Sequence, residues 1–205
     1  MLPLLLLMVM NFIISWVNAK AVGRMWSESK VIGGSLRTLT VAGYVMAIGG
    51  FTMVYGNVLL LLAPTVLPYF FPSVPVEGLV SLAADMVYVM LVAFLIPSGF
   101  ILWYHSAVQF WRRKTLAGGL NVAWNSYAQI RNTVNAARSL PGAFGRITKA
   151  LFGGRGRKKG NAVLILCAVL IVILAVCGGW FTASAIMKKA DAEYDGLDEF
   201  DPGFQ

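Results

Sequence analysis

Charged side chains are scarce in this sequence. Of 205 residues, 13% are Lys, Arg, Asp or Glu, against about 25% in an ordinary soluble domain. Acids are fewest, at nine, and there is one histidine and two cysteines. These shortages exclude much chemistry. No His/Cys/Asp/Glu group has metal-ligand spacing, and neither a phosphate-binding loop nor a nucleophile elbow is present. His105 and Asp85 fall in one helical stretch, about 30 Å apart at helical rise, so they form no dyad. Cys167 and Cys177 also share one stretch, about 15 Å apart, too far for a mutual disulfide. Both are expected as small buried side chains without a redox or metal role. The sequence thus reads as non-catalytic, with no cofactor.

What is abundant is apolar. Hydrophobic residues make up 58% of the chain and the mean hydropathy is +0.72. That excludes a disordered chain, a coiled coil and an ordinary soluble domain. Strict alternation is missing, which excludes strands of a membrane barrel. A helix needs about 20 apolar residues to cross a hydrocarbon layer of about 30 Å. Leu2–Val17 is short, with 16 residues; Leu39–Leu62 has 24; Leu79–Tyr104 has 26 with Asp85 as its one charge; Ala162–Met187 has 26. The expected fold is an all-α, polytopic membrane bundle of four transmembrane helices, with amphipathic interfacial helices in a cytoplasmic segment. Residues 1–104 hold three spans and short links, 105–161 the basic segment, 162–187 the fourth span, and 188–205 an acidic tail. Ala19-Lys20-Ala21 imitates a signal cleavage site, but no basic residue precedes Lys20. The first stretch is therefore read as a retained helix.

Charge distribution suggests an orientation. The net +8 is a balance of +11 in His105–Asn161, +3 in the first link and −4 beyond Met187, with Glu77 and Asp85 supplying the rest. Lys20, Arg24, Lys30 and Arg37 would then share the cytoplasmic side with the large basic segment. The Pro-rich link Ala63–Gly78, both termini and the acidic tail would lie outside the inner (plasma) membrane. The tail would be mobile and solvated.

Polar and small residues mark candidate contacts. Asp85 is costly in hydrocarbon and is expected to meet a neighbour or water. Asn57 is expected at similar depth, Ser81 and Tyr88 on the same face, and Lys188 or Lys189 reaching down to the acid. An ion- or proton-binding position at Asp85, in an oligomeric channel or transporter-like conduit, is the alternative to a structural bond. Asn11, Ser15 and Asn18 share a face of the first span. Gly43, Ala47 and Gly50 on the second span, and Ala175, Gly179 and Ala183 on the fourth, form ridges for close helix packing. Pro97 is expected to kink the third span.

In the basic segment, Leu120, Trp124, Tyr127, Ile130, Val134 and Ala137 recur at helical spacing, bracketed by Gly118-Gly119 and Pro141-Gly142. Phe144, Ile147 and Leu151 continue in a second short stretch. Both are expected to lie on the inner membrane surface, apolar face down. Arg112, Arg113 and Lys114, and the cluster Arg155, Arg157, Lys158 and Lys159, are expected to face anionic headgroups or a partner. Aromatics are absent from the cluster, which argues against nucleic acid. The pattern as a whole favours an anchor, assembly factor or subunit of a larger, possibly homo-oligomeric, membrane complex.

Overall fold

The computed structural model describes residues 2–32, 34–72, 74–152 and 159–198. They form five helices: α1 (Leu2–Ile32), α2 (Ser35–Phe70), α3 (Val76–Arg113), α4 (Leu116–Phe152) and α5 (Lys159–Asp198). The described residues are 96% helical and form an all-α bundle. α1, α2, α3 and α5 are long and apolar enough to cross a membrane.

The helices run further than their apolar stretches. α2 continues through Pro64 and Pro68 to Phe70, where the Phe71 amide closes the end on the Leu67 carbonyl at 2.8 Å. Each proline forfeits one backbone bond. Spaced four apart, they free carbonyls on one side of the helix, and the rest of the ladder holds. The expected Pro-rich link therefore shrinks to the few residues between Phe70 and Val76. Likewise, Gly118-Gly119 and Pro141 lie inside α4 rather than at helix ends. The basic segment forms one 37-residue helix where two were expected.

Small side chains set how the bundle closes. Gly43 lies against Val22 and Gly50 against Ser15, so the expected α2 ridge faces α1. Gly179 lies against Thr52 and the Ile48 carbonyl, so the α5 ridge faces α2. Ala19, Ala47, Phe51 and Ala183 are fully buried where α1, α2 and α5 meet. A second core, around Leu79, Ala83 and Ala168, joins α3 to α5. Both ridges predicted from the sequence thus pack within the chain.

The contacts also fix directions. α2 runs antiparallel to α1, α3 and α5: Phe12 meets Phe51, Gly56 meets Val87, and Tyr55 bonds Thr182. α5 runs parallel to α1 and α3, with Gly23 against Ala190 and Gly78 near Leu164. The start of α1 and the end of α5 therefore lie at opposite ends of the bundle. The first link and the acids of α5 lie together: Lys30 Nζ is 2.8 Å from Asp195 and 3.2 Å from Asp191, and Lys20 is 3.7 Å from Glu193. Ser27 donates to Asp191 or Asp195, at 2.5 and 2.6 Å. The acids up to Asp198 belong to α5 and are not a separate tail; 199–205 lie outside the described residues.

Close approach generates a stability prediction. A methyl group on Gly23 would sit 2.5 Å from the Met187 carbonyl oxygen, and one on Gly179 would sit 2.8 Å from the Ile48 carbonyl oxygen, whereas Gly145 has nothing within 4 Å. Gly23→Ala and Gly179→Ala should each destabilise the detergent-solubilised protein, by about 1–3 kcal/mol of overpacking. Gly145→Ala should stabilise it by up to about 1 kcal/mol through helix propensity. Thermal melts of the three variants check this. A second melt series tests the charge cluster: Lys30→Glu should lower the melting temperature, and adding Asp195→Lys should recover part of the loss.

Candidate functional site: the α3–α4 interface

α4 packs on α3 along most of its length and meets α5 only near its own C-terminal end. Val122, Ser126, Gln129, Thr133, Ala136, Leu140, Ala143, Ile147 and Ala150 are buried or half-buried along one line of α4. They recur at alternating four- and three-residue steps, the seam of a helix lying along another. The seam is small and polar because α3 presents polar atoms to it. The Gln129 amide donates to the Ile96 carbonyl at 2.9 Å, the Trp103 indole to Ser126 at 2.7 Å, and the Asn125 amide to Ser106 at 3.3 Å. Gly99 makes room for this carboxamide: a methyl group on it would be 2.2 Å from the Gln129 side-chain oxygen, which would have to shift. Pro97, Ser98 and Gly99 remain within a continuous α3.

The expected apolar stripe of the segment is not the packed one. Leu120, Trp124, Tyr127, Ile130 and Val134 are 40–68% exposed, and Ala137 is exposed beside them. Periodicity finds an apolar face; it does not say whether that face meets protein. Here the protein partner selected the smaller residues, which approach closely and satisfy buried donors. The expectation of helices lying apart on a membrane surface gives way to one helix running antiparallel along α3.

Asp85 lies on this interface, but Lys188 and Lys189 are exposed near the other end of the bundle. Its partner is Arg146 of α4, a residue that the sequence reading left unassigned. Arg146 Nε and Nη2 each donate to one carboxylate oxygen at 2.6 Å. This bidentate geometry is the strong form of a charge-assisted hydrogen bond. The two lie 61 residues apart in sequence, so only the antiparallel registry of α3 and α4 joins them. One helical turn along, the Tyr88 hydroxyl bonds that of Ser139. Ser81 lines a cavity of about 270 Å³ beside the ion pair, with Gly78, Leu82, Ala150 and Leu164. Asn57 is half-buried on α2, next in sequence to Gly56, which faces Val87. The expected depth agrees with that of Asp85, though no bond joins the two.

Elsewhere the expected positions separate. Ser15 is buried facing Gly50, Asn11 is half-buried and Asn18 exposed. Cys167 is buried but Cys177 is exposed, against expectation. Arg112 and Lys114 are exposed at the end of α3, where Lys114 takes a left-handed conformation with φ 48°. The Arg113 side chain, and Arg155, Arg157, Lys158 and the Lys159 side chain, lie outside the described residues. His105 contacts Gln109 at 3.3 Å, and both line a 520 Å³ cavity with Asn121 and Asn125. Among the described residues no group of three or more His, Cys, Asp or Glu is placed to hold a metal.

Chemically, the interface is a helix clamp fastened by an ion pair at one end and amide and hydroxyl bonds along its length. The chain matches no family model, no curated protein and no solved structure.

The clamp makes its own prediction. Asp85→Arg and Arg146→Asp should each loosen the C-terminal half of α4, while the charge-swapped double variant restores it. Faster amide hydrogen exchange across residues 140–152 in the single variants, and its reversal in the double, is the expected result.

Proposed function

We propose that this protein is a non-catalytic integral membrane component that works by assembling with copies of itself. The carrying observation is a polar flank of α4 that bonds α3 at Asn125 and Ser139 and is otherwise open. Asn121, Asn125, Asn132, Asn135 and Ser139 recur at steps of four, seven, three and four, forming one polar flank. Asn121, Asn132, Asn135 and Ser139 are exposed, as are Arg131 and Arg138 beside them. This flank runs beside α3, one of the four helices apolar enough to cross a membrane.

Lipid is a poor cover for such a surface. An arginine at mid-membrane costs about 2.5–3.5 kcal/mol on insertion scales, and unbonded amides add to that. A carboxamide both donates and accepts, so a second copy of the same amide row is a suitable cover. The opposite flank, with Ile130 and Val134 beside Phe100 and Trp103, is apolar and suits lipid. The two flanks together give a helix with one side for the bilayer and one for an assembly. The basic ends of the helices suit anionic headgroups.

Native mass spectrometry from mild detergent should give whole-number multiples of the 22.2 kDa chain. Replacing Asn132 and Asn135 by Leu should shift the distribution towards monomer. A monomer at every concentration and in every detergent would overturn the proposal.

A further inference from the structure

Arg131 and Arg138 need more than a neighbouring copy. The acids whose side chains are described are Glu28, Glu77, Asp85, Asp191, Glu193 and Asp195. Asp85 is already held by Arg146, Asp191 and Asp195 by Lys30, and Glu193 lies near Lys20. Glu28 and Glu77 belong to α1 and the first turn of α3, distant from the middle of α4 along the bundle. Arg131 stacks on Tyr127, its guanidinium carbon 5.8 Å from the ring centre, a contact that leaves its charge uncompensated. Arginine does not lose its proton in proteins. Copies brought together through α4 would therefore bring like charges together, and only water and anions can accommodate them.

The direction of α4 places these cations along the bundle. α3 and α5 are parallel, so the chain must return from the end of one to the start of the other. α4, at 37 residues, is about 55 Å long, comparable to α3. Its bonds to α3 run from Asp85 to Ser106, about 30 Å of helix and the full depth of a hydrocarbon layer. Cavities with mostly apolar walls that include polar side chains lie near both ends of the interface: one holds Ser81, Asp85 and Arg146, the other His105, Gln109, Asn121 and Asn125.

From these observations we infer that α4 is a fifth membrane crossing whose amide flank, with Arg131 and Arg138, lines a water-filled path for small inorganic anions between assembled copies. The inference rests on self-assembly and adds a transported class of substrate. Arg131 and Arg138 act as anion-attracting positions, while the paired Arg146 holds the wall of the path to α3. Rings of cationic side chains select anions by this electrostatic logic.

The full chain, reconstituted into phosphatidylcholine liposomes containing a chloride-quenched dye, tests the path. Chloride entry at least tenfold faster than in empty liposomes is expected. Arg131→Glu with Arg138→Glu should abolish that entry and admit potassium instead. Native mass spectrometry of the same variant separates lost selectivity from lost assembly; Arg131→Lys with Arg138→Lys should retain most of the chloride flux. Chloride entry no faster than in empty liposomes, from protein that is assembled, overturns the path while leaving self-assembly standing.

Sidedness tests the crossing separately. In a Cys167→Ser, Cys177→Ser background, Thr115→Cys and Phe152→Cys should react with a membrane-impermeant maleimide from opposite sides. Reaction of both from the same side makes α4 a surface helix and overturns the inference.

Discussion

The parallel course of α3 and α5 is the constraint on which the rest of this structure depends. Two parallel helices in one chain need a connection that returns the full length of the first. α4 supplies it, with 37 residues against 38 in α3. Its antiparallel registry then determines which side chains meet: Arg146 reaches Asp85, Gln129 reaches the Ile96 carbonyl, and Ser126 reaches Trp103. None of these pairs is local, and each disappears if α4 is laid away from α3.

The parallel course itself has a steric origin. α5 contacts α2 through Gly178 and Gly179 and contacts α1 at Gly23. At Gly179 and Gly23 the neighbouring backbone comes too close for a side chain, and Gly178 lies against the Tyr55 ring, so dispersion contacts replace the hydrophobic drive that lipid does not provide. The charge pairs agree with the same direction. Lys20 and Lys30 meet Glu193, Asp191 and Asp195 only because α1 and α5 end together. These pairs are partly exposed, so their contribution depends on ionic strength and is modest beside the packing.

Several parts of this arrangement were legible in the residues. Long uncharged runs announced four membrane-length helices, because hydrocarbon thickness dictates their length. Gly43, Ala47, Gly50, Ala175, Gly179 and Ala183 were recognisable as packing ridges, and Asp85 as a residue in need of a partner. The partner was not legible. Lysines near the end of α5 were the expected candidates because an even number of crossings put them beside Asp85. A full-length α4 brings Arg146 there instead. The stripe Leu120–Val134 misled for a related reason. Apolar periodicity reports a face, whereas the seam on α3 went to Ser126, Gln129, Thr133 and Ala136, whose size and hydrogen bonds fit it.

By itself, the sequence determined composition-level properties: an all-helical membrane bundle, four apolar helices, and small-residue faces for contact. These follow from local quantities, namely hydropathy, helical period and side-chain volume. Tertiary structure alone decided the direction of α5, the single course of α4, the Asp85–Arg146 pair and the exposure of the amide flank. Those depend on which helix lies beside which and in what registry. Registry is set by steric fit between residues as far apart in the chain as Gly23 and Asp191, and no local pattern encodes it.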